Sequence, residues 1–264
     1  MTMLAAGSVA AISGCATEPT TSPQLVGVSS SVAASKQLAP TTAVPTPVAL
    51  TSTPGPPVKR PAGTLTRLDG VPGHPIALTI DDGTSSEVVG AYVKFAKDTG
   101  ARFTFFVTAC NDSWRDHAAE LKPLVESGQI QLGNHTWDHP DLTGLSEIAV
   151  AEQLSKTKTF LRNTYGVDGT PYYRPPYGFH NEVVDKVAAD HGYSTPALWY
   201  GSLSDSGVIT EKYLVHCARQ YFHSNSIIIG HANHPAVTHV YGQLAEIIRE
   251  RKLSMVTLND VYVK

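Results

Sequence analysis

IALTIDDGTSSEVVGAYVKFAKDTGARFTFFV, residues 76–107, holds two short β-branched and aromatic runs on either side of a segment with helical spacing. Ile76–Ile80 and Phe103–Val107 read as strands and Val88–Asp98 as a helix. The alternation continues outward. Strand patterns recur at Gln129–Leu132, Pro171–Tyr173, Tyr193–Trp199, Ser226–Ile229 and Met255–Leu258. Helical patterns separate them at Trp114–Glu126, Ser146–Tyr165, Asn181–His191, Thr210–Tyr221 and Val240–Arg251. Ile148, Ala151, Leu154, Leu161 and Tyr165 are expected on one helix face, and Ser146, Asn181 and Thr210 are placed to cap their helices. Seven strands separated by helices imply an α/β fold with a parallel sheet, either doubly wound or closed as a barrel. In both, polar residues just after strand ends gather at one face, where active sites form.

The flanks and composition set further bounds. The chain has 264 residues, 42% hydrophobic and 16% charged, with a formal net charge of −3. That balance carries no basic footprint for nucleic acid. Three cysteines without a CxxC pair argue against a disulfide scaffold or a zinc ribbon. The apolar stretch Leu4 to Gly14 is too short to span a bilayer as a helix. It ends in Ile12-Ser13-Gly14 before Cys15, which resembles the lipobox of bacterial lipoproteins, where the cysteine is lipidated; no Lys or Arg precedes it. From Ala16 to Pro61 lie nine of the eighteen prolines, and between residues 16 and 58 only Glu18 and Lys36 are charged. Such a segment cannot bury enough apolar surface to offset chain entropy. The expected organisation is a signal over 1–15, a Pro/Thr/Ser-rich tether over 16–62 and a folded domain over 63–264 that holds all eleven histidines.

Four short motifs follow strands. Thr79-Ile80-Asp81-Asp82-Gly83 ends the first; adjacent carboxylates point different ways and can take different tasks, one on a metal and one as a base, although an Asp-Asp-Gly alone is more often a turn. His135-Thr136-Trp137-Asp138-His139-Pro140 follows the third, and histidines at i and i+4 share a face if the turn is helical. With Asp82 they would make a two-His-one-carboxylate set with open positions. Arg174-Pro175-Pro176-Tyr177-Gly178 follows the fourth as a stiff loop. Ile227-Ile228-Ile229-Gly230-His231 ends the sixth with a histidine suited to general acid catalysis. Each has an ordinary structural reading when taken singly.

In this order the motifs resemble the polysaccharide deacetylase family, carbohydrate esterase family 4, with the homology domain of the chitooligosaccharide deacetylases. The resemblance covers residues 70 to 264 and implies an irregular (β/α) barrel with about seven strands, similar to a TIM barrel. It implies that Asp82, His135 and His139 hold a metal, usually zinc, with another divalent ion such as cobalt as the alternative. It casts Asp81 as the general base for the attacking water and Arg174 as the cation that keeps Asp81 ionised and oriented. The Tyr177 backbone N–H would stabilise the oxyanion, and His231 would protonate the departing amine. Pro176 and Trp199 are expected to touch substrate. Acetate and a free amino sugar would be the products, or an alcohol from an O-acetyl ester.

Two positions depart from the family pattern. Thr84 follows Gly83 where the family has proline, which reads as neutral loop variation. Ser202 stands where the first Asp of the fourth motif belongs, an Asp that in the family pairs with the catalytic histidine; Asp205, one turn away, is the candidate substitute. The pair His231 and His234, with His239 beyond, is a rival metal set. Cys110 and Cys217 fit either a disulfide or two free thiols. The expected function is an extracytoplasmic deacetylase, lipid-anchored to the bacterial cell membrane or secreted, acting on an acetylated wall polysaccharide, with peptidoglycan N-acetylglucosamine favoured over chitin or acetylated xylan. A silent carbohydrate-binding lipoprotein and a zinc amidase acting on a non-sugar amide are the alternatives. No element points to a protein partner, so a monomer is expected.

Overall fold

A segment such as Pro75–Asp82, apolar from Pro75 to Ile80 but for Thr79 and buried along nearly its whole length, suits a parallel strand covered on both faces. The computed structural model describes residues 49–50 and 55–263; the expected signal, Cys15 and most of the tether lie outside them. The strands are β1 Pro75–Asp82, β2 Phe103–Val107, β3 Ile130–Asn134, β4 Tyr172–Tyr173, β5 Thr195–Pro196, β6 Gly201–Ser202, β7 Ser226–His231 and β8 Ser254–Met255. The helices are α1 Ser86–Thr99, α2 Ser113–Asp116, α3 Ala118–Glu126, α4 Glu147–Tyr165, α5 Glu182–Asp190, α6 Glu211–Tyr221, α7 Tyr241–Glu250 and α8 Leu258–Val261. Every strand pairing is parallel, in the order β5-β4-β3-β2-β1-β7-β6, with β8 joined to the start of β1.

The two ends of that order, β5 and β6, are separated in the chain only by residues 197–200. Even fully extended, that link spans at most about 17 Å, so the sheet must curl until its edges approach. A strap ahead of β1 lies along the seam: Leu65 N–H donates to Pro196 O, Leu198 N–H donates to Leu65 O, and Leu68 N–H donates to Asn225 O. The result is the irregular (β/α) barrel expected from the motifs. The single strand expected over Tyr193–Trp199 is instead β5, then a crossing to the other edge, then β6.

Alternation along β1 separates two cores. Ile76, Leu78 and Ile80 pack outward with Phe103, Phe105 and Val107 beneath the helices. Ala77 packs inward with Phe106, Tyr172, Ala197, Ile227 and Leu258. Each such fully buried Leu, Ile or Phe contributes about 1.5–3 kcal/mol.

Several local expectations shift. The helix over Trp114–Glu126 breaks at His117, whose imidazole bonds the Ser86 backbone carbonyl at 2.8 Å and packs where a Gly90 Cβ would stand 2.6 Å from it. On α4 the buried stripe is Val150, Leu154, Thr157, Leu161 and Tyr165, and Ile148 is 75% exposed. Ile148 lies about 200° around the helix from Val150, so it faces solvent. The strand expected over Met255–Leu258 ends already at Met255, in β8, and Leu258 begins α8, opened by a capping box between Thr257 and Asp260. Ser146, Asn181 and Thr210 cap α4, α5 and α6 through side-chain oxygens. Packing begins ahead of Gly63: Leu50 is buried in the outer core, and Val58 pairs with Tyr262.

Candidate active site

The inward parity of Ala77 carries up β1 to Asp81, which is 2% exposed at the barrel's upper end. Arg174, after β4, is wholly buried beside it. Its Nη1 donates to Asp81 Oδ1 at 2.6 Å, Nε to Ala197 O at 2.7 Å and Nη2 to Leu198 O at 3.1 Å. The guanidinium also lies over Phe106, 4.2 Å from the ring centroid. Burial pushes the Arg174 pKa down, and the facing carboxylates oppose that push. A buried ion pair this fully hydrogen-bonded holds Asp81 in one orientation.

Asp82 follows with φ of 70°. Its carbonyl accepts from Trp114 Nε1 and Asn111 Nδ2, both at 3.0 Å, which fixes the turn. Gly83, at φ 82°, is pressed against Trp114; a Cβ there would meet the indole at 2.4 Å. Burial raises the Asp82 carboxyl pKa, but hydrogen bonds from His135 and Asn233 and the nearby imidazoles outweigh it and hold the group well below the usual range.

His135 and His139 do not share a helical turn. Thr136 and His139 both have positive φ, 70° and 63°, and the loop is tied by Thr136 N–H to Asn134 Oδ1 at 2.9 Å and His139 N–H to Thr136 Oγ1 at 3.1 Å. This looped path still brings the rings together, with centroids 4.8 Å apart. Among the described residues, one set of three potential ligands converges: Asp82, His135 and His139, with ligand atoms all within 4.8 Å of one another. Asp82 Oδ1 lies 3.3 Å from His135 Nε2 and 3.5 Å from His139 Nε2. Ligands about 2.0–2.1 Å from a tetrahedral zinc are themselves about 3.3–3.4 Å apart, so the set fits such an ion. His135 Nδ1 donates to the Arg174 carbonyl at 2.7 Å, which leaves Nε2 free as a ligand. For His135, burial disfavours the charged ring, but Asp81 and Asp82 outweigh it and raise its pKa; for His139, burial and His135 lower it.

His231 ends β7 in register with Asp81 on β1. Its Nδ1 bonds Asp205 Oδ1 at 3.0 Å, and Asp205 is 1% exposed. Burial works against a charged His231, but the Asp205 hydrogen bond and nearby carboxylates prevail and raise its pKa. The carboxylate paired with His231 is thus Asp205, while Ser202 Oγ accepts from Ser204 N–H.

These groups border a cleft of about 430 Å³, whose lining includes Pro175, Tyr177, Gly178, Trp199 and Ser206. Pro176, expected at substrate, is buried at the start of the 3-10 turn Pro176–Gly178, and Pro175 lines the cleft instead. Tyr177 is 61% exposed, with its ring 4.7 Å from His139. Trp199 is half-buried and serves both core and cleft. A larger cavity of about 730 Å³, around Arg162, Asp168 and Asp260, lies at the opposite strand ends and contains none of the motifs. His239 instead bonds Glu211 at the surface, at 2.7 Å, and neither it nor His234 belongs to the ligand set found among the described residues. Cys110 and Cys217 are free. Sequence reading missed Asn233, whose Nδ2 reaches Asp82 Oδ2 at 2.7 Å; its place two residues after His231 was the available signal.

A buried carboxylate and a histidine–carboxylate pair around a two-His-one-carboxylate set, at the C-terminal ends of parallel strands, are the parts of a hydrolase. Residues 69–196 match the family model described as polysaccharide deacetylase, and the chain belongs to that family. It is 30% identical over 192 residues to the peptidoglycan-N-acetylglucosamine deacetylase PgdA of Listeria monocytogenes, covering 71% of this chain but 38% of that protein. It is 34% identical over 134 residues to a chitin deacetylase of Arthroderma benhamiae, covering 50% of this chain and 35% of that protein. The chain thus spans little more than a third of the length of these two relatives. The solved structure of the T48 deacetylase with substrate superposes with a TM-score of 0.63 at 27% identity, covering 71% of this chain and 89% of that one. Among the described residues, no helix is long and apolar enough to cross a membrane.

Proposed function

We propose that this protein is a zinc-dependent deacetylase that hydrolyses N-acetyl groups of a wall polysaccharide, with peptidoglycan N-acetylglucosamine as the favoured substrate. The observation that carries the reading is the pairing of Asp81 with Arg174 and of His231 with Asp205 around the set Asp82, His135 and His139. When bound, a divalent ion supplies Lewis-acid polarisation of the acetyl carbonyl and eases deprotonation of water.

The chain's own residues account for the proton movements. Asp81, oriented by the hydrogen bond from Arg174, takes a proton from the attacking water as its oxygen bonds to the acetyl carbon. Pro175 and Pro176 carry no N–H, so Tyr177 offers the first peptide donor after Arg174, and we assign it to the developing oxyanion. His231, whose charged form the Asp205 hydrogen bond favours, gives its Nε2 proton to the amine nitrogen as the carbon–nitrogen bond breaks. Acetate and the free amino sugar leave. Trp199 and the exposed ring of Tyr177 offer faces on which a sugar can stack.

Cys15 places the domain outside the cytoplasm on a lipid anchor, with the Pro-rich segment as its reach toward the wall. The silent-binder alternative loses its motive, because Asp205 supplies the carboxylate that Ser202 does not. The test is acetate release by the full chain on peptidoglycan, N-acetylglucosamine oligomers and acetylated xylan. Release greatest on peptidoglycan supports the reading; release from xylan alone would replace it with O-deacetylation.

A further inference from the structure

Thr84 occupies the position where the family pattern has proline, and its contacts show what that exchange provides. Its backbone N–H reaches Asn233 Oδ1 at 3.3 Å, and its hydroxyl donates to the same oxygen at 2.8 Å. A proline there lacks both donors. A peptide N–H can only donate, so the Asn233 amide oxygen must face Thr84, which fixes the orientation of the whole amide. Asn233 Nδ2 is thereby turned to Asp82 and donates to Oδ2 at 2.7 Å. Oδ1 is the oxygen left facing His135 and His139. Backbone bonds join the same two loops, Ser85 N–H to Ala232 O at 3.1 Å and Ala232 N–H to Asp81 O at 3.0 Å.

We propose that Thr84 and Asn233 form a pair of positioning residues that hold Asp82 as a one-oxygen metal ligand, with Thr84 acting through the Asn233 amide. The inference rests on the metal-dependent reading of the site. A carboxylate free to rotate can present both oxygens to an ion and fill a position that water or the acetyl oxygen needs. With Oδ2 engaged by Asn233, the aspartate offers a single atom and has less freedom to lose on binding. Partners of this kind tune metal affinity about 10- to 100-fold. The hydrogen bonds of Thr84 run to Asn233 and not to the Asp82 carboxylate, so its effect passes through Asn233. The exchange at 84 and the asparagine at 233 are then two halves of one device, although they lie at opposite ends of the domain sequence.

The experiment measures zinc affinity of the full chain by competition with a chromophoric chelator, and the visible absorption of the cobalt-loaded chain. Asn233→Ala is expected to weaken zinc about 10- to 100-fold and to alter the cobalt bands. Thr84→Val should weaken it about two- to tenfold, the effect of one neutral hydrogen bond, while Thr84→Ser restores wild-type affinity. The double variant Thr84→Val with Asn233→Ala should match Asn233→Ala alone, because coupled residues are not additive. Unchanged affinity and cobalt spectrum in Asn233→Ala would overturn the proposal, as would additive losses in the double variant. If Asn233→Ala fails to fold, the contrast between Thr84→Val and Thr84→Ser decides it, since equal affinities there contradict the pair. A wild-type chain that holds no divalent metal would instead overturn the metal-dependent function beneath it.

Discussion

The two ends of the strands handle backbone strain differently. At the C-terminal ends, Asp82, Thr136, His139, Tyr177 and Ser204 all have positive φ without being glycine. At the N-terminal ends, the reversals use Gly73, Gly128, Gly169 and Gly192, with Asn225 and Lys252 as the exceptions. A non-glycine residue in the left-handed region costs about 1–2 kcal/mol, a cost the upper loops bear at five positions and the lower ones, apart from Asn225 and Lys252, relieve with glycine. Side-chain bonds such as those from Trp114 and Asn111 to the Asp82 carbonyl keep them there. The charged groups differ in degree: Arg174 and Asp81 form a fully buried pair at the upper end, Arg102 and Asp260 a part-buried one at the lower end, and Lys94 and Asp98 an exposed one on α1. The lesson is that strain and buried charge collect where side chains must be aimed.

The comparison is tested most severely by His135→Ala. It should abolish retention of zinc through gel filtration and all acetate release, while His234→Ala and His239→Ala retain both. Metal retained by His135→Ala but lost from His234→Ala would move the site to the other loop. Next in size is Arg174→Met, which strands the Asp81 carboxylate. It should cost about 3–5 kcal/mol in denaturant unfolding, while Lys94→Ala leaves the midpoint in place.

How much of this was readable in the sequence depended on range. Strands β1, β2 and β7 were legible because their apolar runs are local and buried on both faces. The split of Tyr193–Trp199 into two edges of the sheet was not, since only closure of the barrel places β5 and β6 on different neighbours. Asp82, His135 and His139 read as a group from their order and the fold does bring them together, but not through the helical turn invoked for the histidines: Thr136 and His139 adopt positive φ, a choice set by Asn134 and Gln153 side chains that no spacing reveals. The partnership of Asp205 with His231 spans 26 residues, and that of Thr84 with Asn233 spans 149. Thr84 read as neutral for that reason.

A smaller effect is expected from Asp205→Asn. Asp205 favours the charged imidazole, so its loss lowers the His231 pKa, and the acid becomes deprotonated at lower pH. The alkaline limb of the pH–rate profile should move toward acid, with the acidic limb in place; superimposable profiles would remove Asp205 from the proton path. Smallest is Lys252→Gly, at φ 52° on the lower end. It should stabilise the fold by about 1 kcal/mol in thermal unfolding and leave the rate alone.

The central claim is that chemistry at the upper end depends on an ion held by Asp82, His135 and His139. Its most direct measurement is acetate release from peptidoglycan by the full chain before chelation, after chelation and after return of one equivalent of zinc. The account predicts release that is lost with chelator and restored by zinc in the wild type, and absent throughout in His135→Ala. Release that persists in the chelated wild type, or in His135→Ala, would contradict it.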